Sequence, residues 1–388
     1  MAESRRLQAV QSPVIPDVAA LIRATPGTIS LGQGVVHYGP PQEVFDAVAR
    51  FGRQVAENHY HPASGLPELV QELHDKLALE NGIEVQNDQV IMVTAGSNMA
   101  FSHTVLAIAD PGDEIILLAP FFFNHEMAVV MANCRPVVVP TDAHYQPRLD
   151  AIEAALSPRT RALVTVSPNN PAGAVYPPQT LRAINQLCLD RAIYHIVDEA
   201  YEYFTYEDAQ HFSPGSRSVS RGHTISLFSF SKSYGLASWR VGYMVAPRPL
   251  LSALEKIQDT ILICPPVISQ IAALGALRAG SSYCRTFIQD IARVRQLCLE
   301  HLSALEDCCQ IPPAPGAFYL LVQLDTNRPA MEVVEYLIRN YQVAVIPGTA
   351  FGLHQGCYIR IAYGALQEDT AAAGMDRLVS GLQHLLKR

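Results

Sequence analysis

Ser229-Phe230-Ser231-Lys232-Ser233-Tyr234-Gly235-Leu236-Ala237-Ser238-Trp239-Arg240-Val241-Gly242 is the stretch on which the reading of this chain turns. It sets one lysine among hydroxyls and small residues, eight positions before an arginine. Most lysines are solvated surface charges, so the neighbours carry the argument. Upstream, Ile193-Tyr194-His195-Ile196-Val197-Asp198 is a mostly apolar run of the kind that forms a strand buried on both faces. It ends in a carboxylate and continues as Glu199-Ala200-Tyr201. An acid there sits where an α/β sheet presents ligands, just beyond the carboxyl ends of its strands.

These residue types suit pyridoxal 5'-phosphate, whose pyridine nitrogen stays protonated only beside a partly buried carboxylate. Asp198 is the candidate for that carboxylate, and a helix-capping or turn role is the plain alternative. A Schiff-base lysine must lose its proton, which a second cation and poor access to water promote. Lys232 with Arg240 nearby meets that condition. Val93-Thr94-Ala95-Gly96-Ser97-Asn98 turns from an expected strand into a helix, and a helix N-terminus with hydroxyls is an anion site. Ser and Asn are also ordinary capping residues. With Ser229 and Arg240, the segment forms a cup for one phosphate.

In this pattern the chain resembles the class I and II aminotransferases among the fold-type I pyridoxal-phosphate enzymes. The likeness runs nearly end to end, through Ile29-Ser30-Leu31-Gly32-Gln33-Gly34, Tyr60-His61-Pro62-Ala63-Ser64-Gly65, Pro168-Asn169-Asn170-Pro171-Ala172-Gly173, Asp198-Glu199-Ala200-Tyr201 and Tyr358-Ile359-Arg360-Ile361. The resemblance implies Lys232 as covalent anchor and proton shuttle, and Asp198 as partner of the pyridine nitrogen. It implies Asn170 and Tyr201 as donors to the ring oxygen, and Phe122 as the stacking aromatic. Gly96, Ser97, Asn98, Ser229 and Arg240 would hold the phosphate, with Tyr60 reaching in from a second subunit of a homodimer. Arg360 would clamp the substrate α-carboxylate, helped by Asn170 and the backbone of Gly34.

Chemistry agrees with these transfers. A planar carboxylate suits the fork of an arginine better than an ammonium, and Cys357-Tyr358-Ile359 reads as a strand that would hold Arg360 still; the alternative is a surface arginine. Phe122 offers a flat apolar face, as do Phe121 and Phe123 if the turn is shifted by one, and a phenylalanine triplet is also ordinary core. Asn169-Asn170-Pro171 reads as a turn after a strand.

Two departures bear on substrate. After Gly34 many members continue Pro-Asp-Phe, but this chain has Val35-Val36-His37-Tyr38 at what is the substrate mouth in the family, so His37 and Tyr38 read either as substrate contacts or as packing. One branch that favours acidic substrates has a lysine where Asn98 stands, and a neutral amide cannot pair with a distal carboxylate. A neutral or aromatic donor is therefore favoured over aspartate, with 2-oxoglutarate as the expected acceptor in a ping-pong transamination. Lyases and oxidases share the cofactor motifs and are the rival reading. A DNA-binding regulator is disfavoured because Met1–Thr28 is too short for the extra module.

The chain has 388 residues, 49% of them apolar, and a net charge of −8. That size supports more than one core. The negative balance without a basic stripe argues against nucleic acid and acidic membranes as partners. Met1–Ala20 lacks an apolar core for a signal peptide, and runs such as Ile115–Phe123 are too short to span a bilayer, so a cytoplasmic protein is expected. The eight cysteines show no C-x-x-C pairing or zinc-type spacing. Gly32-x-Gly34 lacks the third glycine and context of a dinucleotide loop.

Strand-like runs at 89–93, 114–118, 135–139, 162–166, 193–197, 224–228 and 242–245 alternate with helical stretches and predict a mostly parallel sheet with helices on both faces. A long helix over 283–305, strands at 318–322 and 358–362, and a helix over 330–340 predict a smaller α+β domain. In the family arrangement, 45–284 form the large cofactor-binding α/β domain, and 1–44 with 285–388 the small discontinuous one.

Overall fold

The computed structural model describes residues 3–12 and 14–386, so the outermost residues of the expected small domain lie outside the described residues. The large sheet has seven strands: β1 (Gln89–Thr94), β2 (Glu114–Ala119), β3 (Arg135–Pro140), β4 (Thr160–Val166), β5 (Tyr194–Asp198), β6 (Thr224–Ser229) and β7 (Gly242–Pro247). Their spatial order is β1-β7-β6-β5-β4-β2-β3, and all pairs are parallel except the two that β7 makes. Every residue of β1, β2, β6 and β7 is buried, which is why they read as near-continuous apolar runs. β3 is one of the two edge strands, half of its residues exposed, and carries Pro136 and Pro140, which deny a pairing partner two donors.

The expected strands fall within a residue or two of those observed. β5 ends on Asp198 itself, as the run reads in sequence, so the backbone that carries the carboxylate is fixed by the ladder. The long helix begins at Ser281 and ends at Leu302, with a 3-10 turn at Ser303–Leu305.

The C-terminal part carries β8 (Cys309–Gln310), β9 (Tyr319–Leu324), β10 (Ile346–Pro347) and β11 (Cys357–Ala362) in the antiparallel order β10-β11-β9-β8. The N-terminal segment is tied to it: Ile29–Ser30 pairs in parallel with Val343–Ala344, and Val18 of the helix Val14–Ala24 lies in the same apolar cluster as Ile346 and Leu337. β9 and β11 face each other with Leu321 opposite Arg360. Among the described residues no helix is long and apolar enough to cross a membrane, and all eight cysteines are free thiols.

Candidate active site

A cavity of about 390 Å³ opens at the carboxyl ends of the parallel strands, where the turns after β1, β2, β4, β5 and β6 meet the C-terminal sheet and the Val14–Ala24 helix. Lys232 projects into it from a one-turn helix, Phe230–Ser233, that starts directly after β6. Ser229 caps this turn by accepting the Ser231 N–H at 3.1 Å while also lining the cavity. The Lys232 Nζ donates to the Gly34 carbonyl at 2.5 Å. Withdrawal from water pulls the lysine's pKa down to about 8, helped by the positive charges of Arg240 and Arg360 and opposed by Asp198.

One corner is built for an anion. Gly96, at φ +83°, precedes the helix Ser97–Ile108, and Ser97 and Asn98 line the cavity at that helix's start. The left-handed φ strains any other residue at 96, and a Cβ there would push the Arg240 guanidinium out of this corner. Arg240, itself left-handed at φ +52°, donates through Nη1 to the Ala237 carbonyl at 2.9 Å and lies 3.5 Å from the Ser231 hydroxyl.

The opposite corner is built around Arg360. Its guanidinium is buried, donates through Nη1 to Asn170 Oδ1 at 2.9 Å and through Nη2 to the Gly32 carbonyl at 2.7 Å, and lies 4.6 Å and 4.9 Å from the ring centres of Tyr319 and Phe351. Its Nε is buried with no hydrogen-bond partner among the described residues. Asn170 Nδ2 reaches the Tyr201 hydroxyl at 3.4 Å, which in turn sits 2.7 Å from the Tyr319 hydroxyl. Between the corners, Asp198 accepts the Ala200 N–H at 3.1 Å and lies 3.1 Å from His125 Nε2. His125 is stacked on Phe101 at 4.0 Å and meets Phe122 edge-on at 5.3 Å.

Lysine and arginine line the cavity at Lys232, Arg240 and Arg360, against Asp198 as the carboxylate, which already faces His125. The site thus has uncompensated positive charge at two corners, complementing a phosphate at one end and a carboxylate at the other, with an amine between them. Pyridoxal phosphate carrying an amino acid fits that donor set.

The expected residues Gly34, Ser97, Asn98, Phe122, Asn170, Asp198, Tyr201, Ser229, Lys232, Arg240 and Arg360 all line this one cavity, with Gly96 behind Ser97. Phe122 and Phe123 share it, whereas Phe121 packs against Gly352. Tyr38 departs from the expected substrate contact. Its hydroxyl donates to the Lys232 carbonyl at 2.9 Å and its ring stacks on Phe287 at 4.2 Å, so it supports the lysine turn from behind. His37 packs with it against Phe287. Tyr60 is 80% exposed and lies outside the lining of its own chain's cavity.

Sequence reasoning missed His125, Ser231 and Tyr319, and the Ile15, Val18, Ala19 and Ile22 face that roofs the cavity. The roof has a signal in the apolar spacing of Ile15, Val18, Ala19 and Ile22, but periodicity does not say what such a face covers. His125 had none beyond lying three residues after Phe122.

The sequence profile described as aminotransferase class I and II matches residues 26–378. The aromatic aminotransferase ISS1 of Arabidopsis thaliana is 36% identical, covering 99% of this chain and 97% of its own. The aspartate/prephenate aminotransferase of Thermus thermophilus is 34% identical over 95% of this chain and 96% of its own. Among solved structures, a double mutant of Thermus thermophilus aspartate aminotransferase superposes with a TM-score of 0.89 at 31% identity, covering 98% of this chain and all of that one. The aromatic aminotransferase of Pyrococcus horikoshii does so with a TM-score of 0.85 at 30% identity, over 95% of this chain and 99% of that one.

Proposed function

The chain belongs to the class I and II aminotransferase family, and on that premise we propose that it moves the amino group of a neutral or aromatic L-amino acid to a 2-oxo acid by a ping-pong route. It is a pyridoxal-phosphate-dependent aminotransferase. When bound, the cofactor supplies the electron sink that lets an amino group and an α-proton leave one carbon. The observation that carries the site assignment is the lysine poised between two separate anion corners.

Lys232 would anchor the cofactor and its amine would carry the α-proton. Its lowered basicity suits both tasks, since only the neutral amine attacks a carbonyl or accepts a proton. Asp198, steadied by His125 and the end of β5, pairs with the pyridine nitrogen. Asn170 and Tyr201 would donate to the ring oxygen, and Phe122 would supply an apolar stacking face. Gly96, Ser97, Asn98, Ser229 and Arg240 hold the phosphate, with Tyr60 crossing from a second copy in a homodimer. Arg360 and Asn170, beside Gly34, fix the α-carboxylate and hence the direction of the C–H bond to be broken. Eight free cysteines support a reducing, cytosolic setting.

The donor reading rests on the apolar roof. Ile15, Ala19, Ile22, Phe123 and Ile346 line the cavity, and its cations are already assigned to the lysine, phosphate and α-carboxylate roles, so a distal carboxylate would be buried against hydrocarbon. The resemblance suggests 2-oxoglutarate as acceptor, and the same lining makes neutral 2-oxo acids worth testing beside it. Visible absorbance of the holoenzyme, with amino acids added singly and no oxo acid present, tests this. Aromatic and aliphatic amino acids should convert the cofactor to pyridoxamine phosphate at lower concentration than aspartate, and the reverse ranking would overturn the donor assignment.

The lysine's environment also sets a pH dependence. In cofactor-free protein, the rate at which Lys232 captures added pyridoxal phosphate should climb as pH rises through about 8, because the neutral amine accumulates above that value. A stopped-flow profile still rising only near the ordinary lysine value of about 10.4 would contradict the assigned environment.

A further inference from the structure

Tyr319 opens β9, is fully buried and lines the cavity, yet the roles above do not use it. Its hydroxyl lies 2.7 Å from that of Tyr201, and its ring centre 4.6 Å from the Arg360 guanidinium. Arg360 closes the circuit through Asn170, which contacts Tyr201. Gly34, whose carbonyl accepts from Lys232, also depends on it: a Cβ at 34 would come within 2.5 Å of the Tyr319 hydroxyl. One side chain therefore touches the supports of the carboxylate clamp, the phenol at the ring oxygen and the lysine.

Proton counting allows this bond two directions. Each phenol has one proton, and at 2.7 Å one of them donates to the other. Both phenols line the cavity; among the described residues the Tyr319 hydroxyl has no second hydrogen-bond partner, whereas the Tyr201 hydroxyl also accepts from Asn170 Nδ2 at 3.4 Å, so a further bond accepted from Tyr319 would leave its own proton free for the cavity. We propose that Tyr319 is a positioning residue for both halves of the site: its hydroxyl donates to Tyr201, which aims the Tyr201 proton into the cavity, and its ring face carries the Arg360 guanidinium. The inference rests on the reading of Tyr201 and Arg360 given above.

The test uses the holoenzyme and follows the visible absorbance of the lysine–cofactor linkage against pH in the parent, Tyr319→Phe, Tyr201→Phe and the double variant. A ring oxygen that loses a well-aimed donor becomes more basic and holds the linkage proton more tightly, so Tyr319→Phe should raise the linkage pKa by roughly half to one pH unit. Because Tyr319 acts through Tyr201, adding Tyr319→Phe to Tyr201→Phe should shift it no further. Tyr319→Phe keeps the ring and should leave KM for the amino acid within about twofold, whereas Tyr319→Leu should raise KM roughly tenfold through loss of the cation–π contact. An unshifted titration in Tyr319→Phe, or an equal shift with and without Tyr201, overturns the proposal. If the parent shows no such band, or Lys232→Ala leaves the band unchanged, the underlying reading fails and takes this one with it.

Discussion

Lys232→Ala will lower kcat by at least about 10⁴-fold while leaving a folded protein, because one substitution removes both the covalent anchor and the group that carries the α-proton. The fold should survive because Lys232 stabilises little. Its hydrogen-bond partner is the Gly34 carbonyl, and a side chain whose pKa has been pulled down to about 8 is one that the folded state holds against its preference for water. Thermal melting of the cofactor-free variant should match or exceed that of the parent. A near-normal rate would remove Lys232 from the mechanism, and a cofactor-free variant that melts much earlier would show the lysine to be structural.

Arg360→Lys will keep the charge and lose the fork. The guanidinium spans Asn170 Oδ1 and the Gly32 carbonyl while lying against two aromatic rings, and an ammonium cannot hold that plane or meet a carboxylate with two parallel bonds. kcat/KM should fall about 10²- to 10³-fold, or roughly 3–4 kcal/mol of transition-state stabilisation. The pattern across substrates is as diagnostic as the size. The α-carboxylate is common to every donor, so the loss should be nearly uniform across aromatic, aliphatic and acidic amino acids. The cofactor's affinity should change little, since the Arg240 corner is separate. A loss confined to one donor class would place Arg360 at the substrate side chain instead. Equal loss of cofactor affinity would place it at the phosphate.

Much of the sheet was legible because its interior strands are buried on both faces, which leaves continuous apolar runs such as Ile115–Leu118 and Ala162–Val166. Chemistry concentrated in short contiguous motifs was legible for a related reason. Gly96–Asn98, Asn170, Asp198–Tyr201 and Ser229–Arg240 sit at strand ends or in the turns that follow, so locating the strands located them.

Tertiary structure alone decided the rest. Arg360 meets Asn170 across 190 residues, Lys232 meets Gly34 across 198, and Tyr319 meets Tyr201 across 118. A side chain's local pattern cannot reveal a partner brought in by packing at that distance. Tyr38 shows the same limit in reverse: its place near the expected substrate mouth suggested contact with substrate, yet the fold turns its hydroxyl onto the backbone behind Lys232. Tyr319 reads in sequence as one more residue of the expected strand at 318–322, and the helix Val14–Ala24 has no sequence reading that puts it over the cavity. Periodicity marks that such residues are buried, whereas what they are buried against follows from how β9, β11 and the N-terminal helix close over the strand ends. The residue types of the cofactor's chemistry were thus written in the chain, and the shape and polarity of the space left for the substrate were set only by the packing of its distant parts.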